Sequence, residues 1–154
     1  MKLFLSCLLA APLCVLATPP DACKILTVDE INAIAERPVE RLQPQKTGNP
    51  SQCGYLDSRR AAVLVVSVRE VQYAVRDEMH YERENLEKIY KMKAKQLDTI
   101  GDGGFWLAAN KQMVFRKGKM IASVTFATPK NQNEIDTGQI ARLVETRMVE
   151  TPPK

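Results

Sequence analysis

Residues 61–71 read AAVLVVSVREV. Five of these eleven residues are valine, whose branched Cβ favours extended backbone. A run of this length, bounded by turn formers, predicts a central strand covered on at least one face. The rest of the chain is read outward from that strand.

Upstream, CGYL (53–56) and the turn DSRR (57–60) complete a hairpin with it. LQPQKTGNPSQ (42–52) is a polar stretch rich in turn formers and reads as a loop. Before it, DACKILTVDEINAIAERP (21–38) carries a T-x-x-E capping box, Thr27 and Glu30, ahead of Ile31, Ile34 and Ala35 at helical spacing. Pro38 stops that helix, and a short helical turn through 23–26 precedes it.

Downstream, the pattern from Tyr73 to about Lys95 is helical. Val75, Met79, Leu86 and Ile89 form one stripe with Tyr90 beside it, while Glu82 and Lys93 interrupt it. Glu84 and Lys88, and Glu87 and Lys91, are i,i+4 pairs in the favourable order. GGFWLA, KQMVFRK and KMIASVTFA then read as a three-stranded meander turned at ANK and KGK. NEIDTGQIARLVETRMVE (133–150) is an amphipathic helix with Ile140, Leu143, Val144 and Met148 on one side, ended by Pro152 and Pro153. The expected order is α-β-β-α-β-β-β-α. It predicts a single α+β domain with a mostly antiparallel five-stranded sheet and helices packed largely on one face.

Residues 1–17 are read as a signal peptide, with 18–154 as the mature domain. Lys2 gives the positive start, LFLSCLLAAPLCVL the apolar run, and Val15-Leu16-Ala17 the small residues at a cleavage site. A membrane anchor needs about 20 apolar residues, and this run is shorter and meets Pro19-Pro20. A lipoprotein signal fits poorly, because Cys7 comes too early and Leu13 stands before Cys14. Cleavage near Ala17 predicts an exported protein, periplasmic or secreted, with no transmembrane segment in the mature chain. Of 154 residues, 137 remain once 17 are removed, enough to bury about two-thirds of the unfolded surface. The net charge of +4 falls to +3 because Lys2 leaves, which argues against a nucleic-acid partner.

Cleavage also removes Cys7 and Cys14, leaving Cys23 and Cys53 of four cysteines. Two thiols in an oxidising compartment predict one disulfide, tying the first strand to the N-terminal helix. A C-x-x-C redox site and a zinc cluster are weaker readings, since neither spacing is present. Chain-entropy estimates credit such a loop with roughly 3–4 kcal/mol.

The most site-like stretch is DTIGDGGFW (98–106), with three of the seven glycines and the single tryptophan. A phosphate cradle wants strand, glycines, then helix; here a helix is expected before and a strand after. A calcium loop wants alternating oxygen ligands and a distal Glu, which Asp98 and Asp102 do not supply. The stretch therefore reads as a turn, with Gly101 turning the chain and Gly103-Gly104 allowing close backbone approach. Phe105 and Trp106 alternate, one in the core and the other a weak ligand-binding candidate beside the glycines.

His80 reads as a surface or boundary residue with Glu84 at i+4. No nucleophile elbow accompanies it, and the paired thiols exclude a Cys–His pair. Carboxylates such as Asp77-Glu78 are not shown by sequence to share a cleft. Arg59 and Arg60 in one turn, with Lys111, Arg116, Lys117 and Lys119 around two others, would form a basic patch if those turns share one end of the sheet. Ordinary solvated hairpin tips are the bland alternative. Neither metal nor cofactor is expected.

DACKILTVDE, CGY and IGDGGFW together resemble a loose group of small secreted bacterial domains of unknown function. These include domains of actinobacterial and proteobacterial lipoproteins, with an A-C-x-L-L-T start, a C-x-Y strand and a G-D-x-A-F-W turn. The chain departs from them at Gly104, where alanine is expected, and lacks their lipidation cysteine. The resemblance implies the Cys23–Cys53 bridge and an α+β sheet, and brings no catalytic residue. The leading expectation is a non-catalytic exported binding domain for a protein, glycan or lipid-like anionic ligand, such as an inhibitor or envelope-associated protein. The alternative is a small extracytoplasmic hydrolase whose acids converge in three dimensions; two acids with His80 in one cleft would favour it.

Overall fold

A computed structural model describes residues 19–72, 74–127 and 133–148. The expected signal segment and the stop at Pro152-Pro153 lie outside the described residues.

The N-terminal expectations hold in form, with a shorter second helix. Helix α1 (Ala22–Ile25) is capped by the Asp21 carboxylate, which accepts from the Cys23 N–H. Helix α2 (Val28–Asn32) keeps both bonds of the Thr27/Glu30 capping box but ends well before Pro38.

Among the described residues seven strands follow: β1 (Arg41–Lys46), β2 (Ser51–Leu56), β3 (Ala62–Glu70), β4 (Lys95–Leu97), β5 (Gly104–Leu107), β6 (Gln112–Lys117) and β7 (Met120–Phe126). Helix α3 (Val75–Tyr90) falls between β3 and β4, and α4 (Glu134–Arg147) follows β7. The strands form one antiparallel sheet in the order β1-β2-β3-β7-β6-β5-β4. The valine-rich run is thus β3, and it is central. The α+β class and the β5-β6-β7 meander stand as expected.

The count of five strands and the element order are corrected. Strand β1 lies in the stretch read as a loop: every side chain is exposed and Pro44 sits within it. Proline is tolerated there because β1 is an edge strand, and a strand with no buried face carries no period-2 signal. Strand β4 has only three residues, too few to show alternation.

Helices lie on both faces of the sheet, α1, α2 and α4 on one and α3 on the other. Leu64, Val66 and Val68 of β3 and Met120, Ala122, Val124 and Phe126 of β7 join Ile25 and Ile31 of the N-terminal helices in one core. Ile140, Ala141 and Val144 of α4, with Met148, complete it. Fully burying one such Ile or Val is worth roughly 1.5–3 kcal/mol. On the other face, Phe105, Val114 and Ile121 form a second cluster under Val75, Met79 and Leu86 of α3. This helix lies chiefly over β5, β6 and β7.

Two charged residues explain why α3 is not apolar along its inner stripe. Glu82 accepts from Arg69 of β3 at 2.7 Å, and Glu78 accepts from the same guanidinium at 2.9 Å. The i,i+4 lysine pairs expected on this helix are replaced: Glu87 meets Lys93 at 2.7 Å and Glu84 faces His80 at 3.3 Å. Ile89, expected on the apolar stripe, and Tyr90 beside it are 70% and 41% exposed, because the cluster beneath α3 does not reach its last turn.

Candidate functional site

The DTIGDGGFW stretch is the hairpin between β4 and β5. A strand precedes it, where a helix was expected. Gly101 and Gly103 have φ of 54° and 114°, a region L side chains rarely adopt. A Cβ on Gly101 would lie 2.1 Å from the Arg116 carbonyl oxygen. Gly103 has open space, so it serves the turn through φ alone. At Gly104, where the resembling domains have alanine, a Cβ would come within 2.5 Å of the Val114 carbonyl oxygen.

Asp102 fastens this hairpin to the next turn. Its N–H donates to the Arg116 carbonyl at 2.8 Å, and its carboxylate accepts from the Gly118 N–H at 2.7 Å.

The hairpin forms one wall of a cleft of about 260 Å³. Helix α3 forms the other wall with Arg76, Met79, His80 and Arg83. The floor is Phe105, flanked by Gln96 and Arg116, and Asp98 and Asp102 stand at the hairpin side. Size does not single this cleft out, since two other depressions have volumes of about 240 and 260 Å³. Its chemistry does: three guanidiniums and one imidazole stand around two carboxylates over an aromatic floor.

The polar groups divide into engaged and free. Arg83 donates to Gln96 Oε1 at 3.1 Å and lies 3.3 Å from His80 Nδ1. A guanidinium cannot accept, so Nδ1 is the acceptor and the His80 Nε2–H is left for Glu84. Both ring nitrogens are therefore occupied. Arg76 is exposed and Arg116 half-buried, and neither side chain has a hydrogen-bond or ion-pair partner among the described residues. Among the described residues no serine, threonine or cysteine lines the cleft. Among the described residues no three His, Cys, Asp or Glu side chains stand together as metal ligands.

The residues singled out in the sequence are dispersed. Cys23 and Cys53 form the expected disulfide, with Cα atoms 5.0 Å apart. Phe105 and Trp106 are both buried, at 2% and 7% exposure, on opposite sheet faces, so neither is the exposed aromatic offered as a weak ligand-binding candidate; Phe105 lines the cleft as its floor. The basic turns do not share one end. Because β3 pairs with β7 from Leu64 opposite Phe126 to Glu70 opposite Met120, the Arg59-Arg60 turn and the Lys117–Lys119 turn lie at opposite ends of the sheet. Lys117 faces Glu145 at 3.5 Å. The Lys111 Nζ is buried without a partner among the described residues, so it adds nothing to a basic surface. Asp77 and Glu78 do not enter the cleft.

Sequence reading brought Asp98, Asp102, His80 and Arg116 forward separately and missed Arg76, Arg83 and Gln96. A signal for two of these exists: Arg76 and Arg83 are seven apart, on the Met79 stripe.

No family model matches the chain, and no curated protein matches it. Among the described residues no helix is long and apolar enough to cross a membrane.

Proposed function

We propose that this is a non-catalytic, exported binding domain whose cleft between α3 and the β4–β5 hairpin takes an anionic ligand. The observation that carries the reading is that Arg76 and Arg116 line the cleft without an acidic partner among the described residues. A guanidinium presents paired donors matched to a carboxylate or phosphate. Here Arg83 is already oriented by Gln96, and Phe105 supplies an apolar floor that excludes water from one side. The basic hairpin tips, which the sequence offered as the anion site, are split between two ends of the sheet and lend no support.

The test is a panel of small anions (phosphate, citrate, a sugar phosphate) screened by thermal melting and calorimetry. Binding should weaken at least tenfold in Arg116→Gln and in Arg76→Gln, and stay unchanged in Arg59→Gln. No anion-dependent shift, or equal binding by Arg116→Gln, overturns the proposal.

One observation favours the hydrolase reading: His80, Asp98 and Asp102 do line one cleft. Against it stand the engaged nitrogens of His80 and the Gly118 bond that holds Asp102. If ester or glycoside hydrolysis were detected and lost in both His80→Gln and Asp98→Asn, the catalytic reading would replace the binding one.

A further inference from the structure

The end of α3 presents a second feature, outside the cleft. Residues 88–95 read KIYKMKAK: four lysines, three large apolar residues, one alanine and no acid. Six large hydrophobic side chains are exposed among the described residues, and three of them, Ile89, Tyr90 and Met92, fall within four consecutive positions. They are 70%, 41% and 44% exposed. Single exposed apolar residues need no explanation, but a cluster marks an interaction surface.

The charge around the cluster is not self-neutralised. Lys93 meets Glu87 and Lys95 meets Glu134, while Glu84 faces His80. Lys88 and Lys91 have no acidic partner among the described residues. Lys93 stays 91% exposed despite its ion pair.

The backbone holds this display in place. Lys91 caps α3 at φ 50°, ψ 36°, a left-handed position where glycine is the easier residue. Its N–H donates to the Glu87 carbonyl. The Glu87 carboxylate accepts from the Ala94 N–H at 3.0 Å and from Lys93, and the Lys93 ammonium beside it holds its pKa below the usual carboxylate range. One anchored carboxylate thus fixes the loop that projects Lys91 and Met92.

We propose that this end of α3 docks on an anionic lipid bilayer. Lysine stems lie along an apolar layer while their ammonium groups reach outward to phosphate. Interleaved Ile89, Tyr90 and Met92 suit the layered medium beneath the headgroups, with tyrosine at the interface. An acidic protein surface would satisfy Lys88 and Lys91 but leave the three apolar side chains without cover.

Flotation of the full chain with vesicles tests this at low ionic strength. Binding is expected to phosphatidylcholine vesicles containing phosphatidylglycerol and not to phosphatidylcholine alone. Each lysine removed should lower partitioning roughly fivefold, so Lys88→Gln with Lys91→Gln should lower it by roughly twenty-fivefold. Replacing Ile89, Tyr90 and Met92 with serine should lower it at least tenfold while circular dichroism stays unchanged. Failure to bind anionic vesicles overturns the proposal. So does full binding by the triple serine variant, or equal lysine-dependent capture by a soluble polyanion such as heparin, which would mean charge alone is read. Arg76 and Arg116 are untouched in these variants, so the cleft's anion response is measured separately.

Discussion

The hydroxyl of Tyr55 donates to the carbonyl oxygen of Ala22 at 2.8 Å, from a side chain with no exposed surface. The N–H of the same Ala22 donates to Ser51 Oγ, also at 2.8 Å. Between Ser51 and Tyr55 on β2 stands Cys53, bonded to Cys23. Alternate residues of a strand share one face, so 51, 53 and 55 grip α1 at three successive points. A four-residue helix cannot persist by propensity; this clamp holds it.

Tyr55→Phe should therefore lower stability by about 1–2 kcal/mol, because a buried carbonyl loses its donor. Burial also pushes the Tyr55 pKa up to about 12 from an ordinary 10. A raised folded pKa means that its contribution is complete below pH 10 and is lost as pH rises towards 12. An alkaline ultraviolet titration should show a late phenol ionisation that is absent in the phenylalanine variant. No late ionisation lost in Tyr55→Phe, or an unchanged denaturant midpoint, would remove the clamp argument.

Replacing Cys23 and Cys53 together with serine should cost roughly 3–4 kcal/mol by the loop-closure estimate. The loss arises on the side of β2 that carries α1, so amide exchange should rise first in residues 22–25. An unchanged denaturant midpoint would mean the bridge carries no stability.

Glu30 and Arg147 join α2 to α4. The Arg147 guanidinium donates to both carboxylate oxygens, one of them at 2.8 Å, and to the Ile25 carbonyl. Chiefly through Arg147, the Glu30 pKa is lowered from 4.5 to about 2. A depressed folded pKa contributes stability above pH 4.5 that is lost as pH falls through 2. Melting temperatures of the wild type and Glu30→Gln should thus differ at neutral pH and converge on acidification. A gap that stays constant to pH 2 would sink this assignment.

Legibility followed burial. The central strand 61–71, the α4 face and the capping box of Thr27 and Glu30 could be read because each buries a periodic side or satisfies a cap locally. Strand β1 could not, since its pairing with β2 is carried by backbone alone. In the cleft, Asp102 was visible as a turn residue, but its partner Gly118 lies 16 positions away and only register brings them together. Arg76 and Arg83 were unread because seven-residue spacing says which helix face they share and not which strand end that face meets. Register likewise separates the basic turns at Arg59-Arg60 and Lys117–Lys119.

The β4–β5 hairpin gives the sharpest test, because its glycines and its acid should respond differently. Gly101→Val places a β-branched residue at φ 54° and drives its Cβ to within 2.1 Å of the Arg116 carbonyl oxygen. Both penalties fall on backbone that cannot yield without breaking the β5–β6 register, so the loss should exceed about 3 kcal/mol. Asp102→Ala removes only the acceptor for the Gly118 N–H, which is exposed enough for water to replace it. That variant should lose about 1 kcal/mol and melt a few degrees lower. Added calcium or magnesium should move neither melt. A metal-dependent rise in the wild type that disappears in Asp102→Ala would make the carboxylate a ligand and not a turn fastener. Equal melting temperatures for Gly101→Val and the wild type would mean that the left-handed turn is not required by the fold.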